Sequence, residues 1–343
     1  MTGSENLTRQ SHARDRRPWT PLVRSACPVC GDRRTTRYFS APYAEGEVRD
    51  FLFGYYKLDE LYSQSAWREK VGQVEYTLLQ CRTCRALFQE NCPDDAFATE
   101  IYAGWIGRSL AGSAPHYPLH DYTHWISEAM TLTDFVLKRM GKESPRDLRV
   151  LDFGMGHGLF ARAMAACGCQ VWGYDFAENR NMAANDEGGL KMIGLEGIAA
   201  AKFDFINTEQ VFEHLPEPHA TGLLLAESLD DKGLLKISVP FNRWLEKGEL
   251  LIDWQAGRYA RRSSMPLQPL EHLTYFRRPS LNFLAERLRL TQVKLAVGDI
   301  LRYSIGWTSL RSMVRNTGRA LLRDRFRNYY LLEKSASVDA DPR

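Results

Sequence analysis

The stretch RVLDFGMGHGLF, residues 149–160, limits what this chain can fold into more than any other. A short apolar run ends at Asp152, glycines follow at alternate positions (Gly154, Gly156 and Gly158), and a segment rich in Ala, Leu and Phe comes next. Glycine permits backbone angles and close approaches that a β-carbon forbids, so the pattern reads as strand, tight turn and helix. That is the opening unit of a doubly wound α/β sheet, where ligands sit at the carboxyl edge of the strands.

Two cofactors compete for such a turn. A dinucleotide site needs G-x-G-x-x-G, with the pyrophosphate on the helix amino terminus. Here the third glycine, Gly158, falls one place early and position 159 is Leu. Asp152 would oppose a diphosphate but would suit a ligand that carries an ammonium group and a sulfonium cation. S-adenosylmethionine is such a ligand. QVWGYDFAEN then gives a second strand ending in Asp175, placed to accept both ribose hydroxyls of either cofactor.

With 343 residues, 44% apolar and 25% charged, the chain supports one large domain or two smaller ones. A net charge of +3 gives no argument for a nucleic-acid partner. No apolar run reaches the ~20 residues of a membrane span. Residues 1–20 are polar and arginine-rich without the apolar centre of a secretory signal, and read as a disordered tail. A cytoplasmic, reducing setting follows, in which cysteines are explained by metal or packing before disulfides.

CPVCG supplies Cys27 and Cys30, and CRTC supplies Cys81 and Cys84. Two C-x2-C knuckles can complete a closed tetrahedral thiolate site for a structural zinc. Such an ion can contribute ~10 kcal/mol to folding. Residues 31–80 are a longer insert than a compact ribbon has. Within it FLFGYYKLDELYSQSAWREK is helical in pattern and is expected to stand outside the ribbon as a small subdomain. Reduced core cysteines or a redox pair are the alternatives. Cys92, Cys167 and Cys169 read as buried thiols.

A helix is expected at 122–141, a fourth strand at 203–207 in AKFDFINTEQVFEHLPEP, and a fifth in KGLLKISVPFNRW. VLDFGMGHG, GYDFAEN, FDFINTEQVFEHLPEP, GLLKISVPF and EHLTYFRRPSLNFLAERL together resemble the class I S-adenosylmethionine-dependent methyltransferases. The paired cysteine knuckles resemble a subgroup with an amino-terminal zinc-binding module, which includes sugar C-methyltransferases and related glycan and natural-product enzymes. The resemblance implies a seven-stranded Rossmann-like sheet, closed by an antiparallel pair formed here by LTQVKLAV and RNYYLLEK. It implies that Asp152, Gly154, Gly156 and Gly158 line the methionine portion, that Asp175 takes the ribose, and that Phe176 covers the adenine edge. Glu196 is a candidate for the adenine amino group. The expected organisation is a tail at 1–20, a zinc-ribbon-like module at 21–100, connecting helices at 101–146, a methyltransferase domain at 147–335 and a tail at 336–343.

Methyl transfer to a hydroxyl or carbon acid needs an aligned nucleophile and a group that takes its proton. Thr208, Glu209 and Gln210 fall at the carboxyl edge after the fourth strand, and Glu209 is read as a cofactor contact. Glu213 and His214 follow, with His214 as first choice of base because an imidazole titrates near neutrality. The competing reading is that Glu213 and His214 only cap the next helix. His272, in EHLTYF, is the second candidate. Residues 242–270 form a long rim segment in which Trp254 and Tyr259 are candidates to stack on a sugar, and Arg258, Arg261 and Arg262 to meet phosphate. His116, His120 and His124 recur every four residues, but Pro118 interrupts the helix and no metal site is read there. At 309–328, Arg311, Arg315, Arg319 and Arg323 form a basic stripe that suits an exposed helix face or peripheral contact with anionic membrane.

The leading expectation is a methyltransferase acting on a small polar acceptor, most simply a sugar, nucleotide-sugar or glycan. An RNA methyltransferase that uses the zinc module as a reader is a second expectation. Acidic residues in EGEVRD, LDELY and CPDD count against it, so nucleic acid is not the expected partner. A non-catalytic scaffold that keeps the cofactor fold is the third. The sequence gives no oligomeric state.

Overall fold

The computed structural model describes residues 17–106, 118–176, 189–249, 252–257, 260–303, 314, 317–318 and 328–335. The arginines of the basic stripe (Arg311, Arg315, Arg319 and Arg323), Arg258, Tyr259, His116 and the side chain of His120 lie outside the described residues. The same holds for the tails, apart from residues 17–20. No helix among the described residues is long and apolar enough to cross a membrane.

Among the described residues the amino-terminal strands are β1 (Leu22–Val23), β2 (Thr35–Pro42), β3 (Glu75–Cys81), β4 (Leu87–Gln89) and β5 (Asn91–Cys92). They are followed by β6 (Arg149–Phe153), β7 (Gln170–Tyr174), β8 (Leu190–Met192), β9 (Phe203–Glu209) and β10 (Leu229–Val239). The last three are β11 (Thr274–Tyr275), β12 (Leu290–Val293) and β13 (Asn328–Lys334).

The large sheet has seven strands in the order β12-β13-β10-β9-β6-β7-β8. Strands β8, β7, β6, β9 and β10 run parallel, while β13 is antiparallel to both of its neighbours. The expected seven-stranded Rossmann-like sheet is therefore present, and LTQVKLAV and RNYYLLEK supply its antiparallel pair. Central strands read as unbroken apolar runs because both faces are covered. In β9 every residue from Phe203 to Thr208 is buried. Helix Leu119–Met140 covers one face with Ala129, Leu132 and Val136, which join Leu148, Val150, Phe160, Val171 and Phe205 in one core. It starts three residues before its expected start, with Pro118 in the flanking position a ring tolerates.

The amino-terminal third is not a free-standing ribbon. Its sheet, in the order β11-β4-β3-β2, takes its edge strand from residues 274–275, far along the chain. The helical insert, Gly46–Tyr56 and Gln64–Val71, does not stand apart either. Val48, Leu52, Trp67 and Val71 pack with Tyr76, Leu87, Leu245, Leu267, Leu270 and Tyr275 in one apolar cluster. Burying so many aromatic side chains away from water is the larger free-energy gain, and it outweighs separation of the insert. Two expectations need correction for the same reason. Trp19, placed in the disordered tail, is only 5% exposed and packs on Tyr43 and Phe97. Trp254, placed as a sugar platform, is buried against Phe39, Phe51 and Tyr76.

Candidate active site and metal centre

The four cysteines of the two knuckles converge. Cys27 Sγ lies 3.5 Å from Cys84 Sγ, and Cys30 Sγ lies 3.4 Å from Cys81 Sγ. All four sulfurs fall within 4.8 Å of one another. Four thiols at this spacing match the edges of a tetrahedron with metal–sulfur bonds of ~2.3 Å, so the donor set fits zinc. Gly31 takes φ +79 behind the first knuckle, and its N–H donates to Cys27 O at 2.8 Å. The knuckles are wedged against the large domain. Cys27, Val29, Cys81 and Cys84 share a core with Leu281, Leu284 and Leu288, and Arg287 Nη1 donates to Val29 O at 2.8 Å.

At the carboxyl edge of the large sheet, β6 ends in the glycine turn. Gly154, Gly156 and Gly158 all adopt positive φ (+73, +56 and +69), a region where a β-carbon is strained. A β-carbon at Gly156 would meet nothing within 4 Å, so the turn leaves open space where a ligand can approach the backbone. Asp175 closes one side of the turn, its Oδ2 accepting the Gly156 N–H at 2.8 Å. Phe176 stands beside it, 55% exposed, edge-on to Phe153 and Tyr174. Glu196 sits exposed in the first turn of helix Leu195–Ala200, just past β8.

Asp152 occupies a different position from the expected lining role. It is buried beneath the turn, where Oδ1 accepts from Asn207 Nδ2 at 2.6 Å and Oδ2 from the Ala161 N–H at 3.1 Å. Burial pushes its carboxyl up to about 6, against the pull of the Asn207 hydrogen bond. Glu209 is likewise engaged: Oε1 accepts from Ser238 Oγ at 2.9 Å and Oε2 pairs with Lys236 Nζ at 2.7 Å. Lys236 is fully buried and also meets Glu128 Oε1 at 3.0 Å. Burial works against its charge, yet the two glutamates hold its pKa above the ordinary lysine value. Glu128 in turn lies 3.4 Å from His124 Nε2.

The candidate bases come together from distant parts of the chain. His214 ends the short helical turn Phe212–His214 after β9, and His272 precedes β11. Their ring centroids are 4.8 Å apart at 74°. Tyr102 Oη lies 3.1 Å from His214 Nδ1, and Glu213 Oε1 lies 3.8 Å from His214 Nε2. Glu213 and His214 do not cap the following helix Pro218–Glu227, whose flanking residue is Glu217.

His214 keeps 23% of its side chain exposed, yet the surrounding protein still lowers its pKa to about 4. Glu213 is 1% exposed, and burial raises its carboxyl well above its ordinary value. His214 is thus neutral near pH 7, and burial favours the neutral acid of Glu213. Glu213, His214 and His272 place their ligand atoms within 4.8 Å of one another, the spacing of a metal site. Beside the imidazole of His214, a carboxyl whose neutral acid is favoured by burial also suits proton transfer.

Sequence reasoning missed the residues that hold these two histidines. Arg24 Nη2 donates to Leu215 O at 3.1 Å and Pro216 O at 2.5 Å, while Nη1 donates to Leu273 O at 2.9 Å. One side chain thus ties both histidine segments to the cysteine-knuckle module. Gln268 Nε2 donates to Tyr56 Oη at 2.6 Å and Glu271 Oε1 at 2.7 Å. Burial pushes Glu271 up to about 8. The rim arginine Arg261 pairs with Glu249 at 2.6 Å and lies over the Trp244 ring at 5.8 Å.

Sheet order, glycine turn and the Asp175 carboxylate define the methyltransferase form of the Rossmann-like α/β fold. The chain belongs to the methyltransferase-domain family, whose pattern it matches over residues 122–295. A ubiquinone biosynthesis O-methyltransferase of Maricaulis maris is 34% identical over 130 residues, covering 34% of this chain and 51% of that protein. One from Glaesserella parasuis is 30% identical over 118 residues, covering 30% of this chain and 50% of its own length. The chain thus spans about half the length of these relatives. Among solved structures, the plantazolicin methyltransferase BpumL in complex with SAH shares 16% identity at a TM-score of 0.44, over 70% of this chain and 94% of that one. A magnesium protoporphyrin IX methyltransferase from Synechocystis with bound SAH shares 15% identity at a TM-score of 0.41, over 71% of this chain and 100% of that one.

Proposed function

We propose that this protein is an S-adenosylmethionine-dependent methyltransferase acting on a hydroxyl of a small polar acceptor, in the class of sugars, nucleotide-sugars and glycan termini. The observation that carries this reading is the pairing of an open glycine turn beside Asp175 with two adjacent imidazoles beyond the next parallel strand. When bound, S-adenosylmethionine supplies a methyl group already activated by its sulfonium. The backbone at Gly154, Gly156 and Gly158 holds the amino-acid end, Asp175 accepts the ribose hydroxyls, and Phe176 covers the adenine edge. Asp152 supports the turn from below and gives that region negative character.

On the acceptor side, preference passes from His214 to His272. An imidazole whose conjugate acid has a pKa of about 4 holds a proton poorly at neutral pH, whereas an effective base has a pKa near the working pH. With His214 disfavoured in this way, the second candidate, His272, takes the acceptor's hydroxyl proton, and His214 orients the acceptor. The zinc module serves as scaffold. Oxygen as the acceptor atom draws support from the relatives, which are named O-methyltransferases. The same names place those relatives in ubiquinone biosynthesis, and a hydroxyl on a ring of that kind, for which phenols stand in below, is the second reading.

The test is incubation with methyl-labelled S-adenosylmethionine and a panel of nucleotide-sugars, glycans, phenols and transfer RNA. Label on a nucleotide-sugar or glycan is the expected result. Label on phenols alone selects the second reading, and label on RNA alone overturns both.

A further inference from the structure

We propose that Gln89 is the positioning residue for His272, so that the zinc module sets the aim of the acceptor-side base. The inference rests on His272 being that base. Gln89 ends β4, is fully buried, and makes three of its four side-chain hydrogen bonds to the segment that leads into His272. Nε2 donates to Gln268 O at 3.1 Å and to His272 O at 2.9 Å. Oε1 accepts from the Leu270 N–H at 3.2 Å and from Tyr43 Oη at 3.2 Å. The Gln89 backbone N–H adds a bond to Leu273 O at 2.9 Å. One residue thereby fixes four of the six backbone positions from 268 to 273.

A second observation shows why the segment needs such a clamp. Leu270 has φ +69, a left-handed conformation that costs a β-carbon-bearing residue ~1–3 kcal/mol. Such a conformer persists only where neighbouring groups over-determine it, and the Leu270 N–H is bound to Gln89. An amide fits this position better than either competitor. A carboxylate would repel the two carbonyls, and an apolar side chain would strand the part-buried His272 carbonyl and the buried Leu270 N–H, although Gln268 O would keep the His272 N–H at 3.0 Å. With Gln89 fixed by Tyr43 on one side, the backbone carrying His272 has one orientation relative to His214. The adjoining knuckle, Cys81 and Cys84, anchors the two strands that meet at the turn before Gln89.

The experiment compares the full-length, zinc-loaded protein with Gln89→Met, close in size but without the amide, and with Tyr43→Phe, which removes only the bond to Oε1. Ring resonances of 15N-labelled histidine report on His272 whether or not methyl transfer is detected. The expected result for Gln89→Met is a displaced or broadened His272 signal with His219 unchanged. In turnover, kcat falls ~10²-fold, with a shifted pH–rate profile and an unchanged KM for S-adenosylmethionine. Tyr43→Phe should move the same signal less. If Gln89→Met does not fold, the Tyr43→Phe comparison decides. An unmoved His272 signal and an unmoved pH profile in the variant that folds would overturn the proposal. A displaced signal in a protein that methylates nothing would keep Gln89 as positioner and discard His272 as base.

Discussion

Gly154 and Val211 are packed so closely that a β-carbon at 154 would come 2.5 Å from Val211 Cγ2. This contact joins the donor turn at the end of β6 to the loop after β9 that carries Glu213 and His214. Glycine at 154 therefore serves both backbone conformation, at φ +73, and the close approach of two halves of the site.

Gly154→Ala is expected to destabilise the fold by ~2 kcal/mol, from left-handed strain plus overpacking. It should also weaken binding of S-adenosylhomocysteine at least ~tenfold, since the turn must shift. Adding Val211→Ala should restore part of the loss by removing the clash. Urea unfolding and calorimetry on the single and double variants measure both effects, and full additivity would mean the contact is not felt.

Cys84→Ser should abolish stoichiometric zinc. A structural thiolate site couples metal binding to folding, so the thermal midpoint should fall as well. Because β3 and β4 share a sheet with β11, the loss should spread to the His272 segment instead of staying in the module. Elemental analysis together with hydrogen exchange over residues 268–276 checks this. Unchanged protection there would separate the module from the site.

Much of the large domain was legible because its physics is local. A glycine at every second place after an apolar strand, and a carboxylate at the end of the next, carry their meaning within about ten residues. The knuckles were legible as pairs, but the sheet they belong to was not, since β11 joins β4 across most of the chain. Trp19 and Trp254 were misplaced because a lone tryptophan in a polar segment gives no sign of the aromatic cluster waiting for it. Gln89 and Arg24 left only a faint trace, and Tyr102 left none. Lys236 could have been noticed, since a lysine inside GLLKISV contradicts a strand buried on both faces.

Replacing Lys236 by Met should cost ~3 kcal/mol. The loss follows from leaving Glu128 and Glu209 without the cation between them, more than from any net gain of the triad. Partial exposure of Glu209, at 28%, moderates the effect. Replacing Glu128 by Gln at the same time should return part of the stability, which a double-mutant cycle by denaturant unfolding would detect.

Glu213 gives stability a pH slope of known sign. Its pKa in the folded protein lies above the ordinary 4.5, because burial favours the neutral acid. The folded state thus binds more protons than the unfolded one above pH 4.5, and the contribution is lost as pH rises. Glu271, pushed up to about 8, adds to the same slope. His214, lowered to about 4, acts oppositely: its contribution is complete above 6.5 and falls away in acid. Glu213→Gln should flatten the decline of stability with rising pH above 4.5 and leave the acid limb set by His214. Unfolding free energies from pH ~5 to ~9 test this, and an unchanged alkaline slope would assign it elsewhere.

The most direct test of the account is isothermal titration calorimetry of the zinc-loaded protein with S-adenosylhomocysteine and, separately, with NAD. One binding event per chain is expected with the nucleoside thioether, at least ~tenfold weaker after Asp175→Ala, and no heat with the dinucleotide. Saturable binding of NAD with silence toward S-adenosylhomocysteine would contradict it.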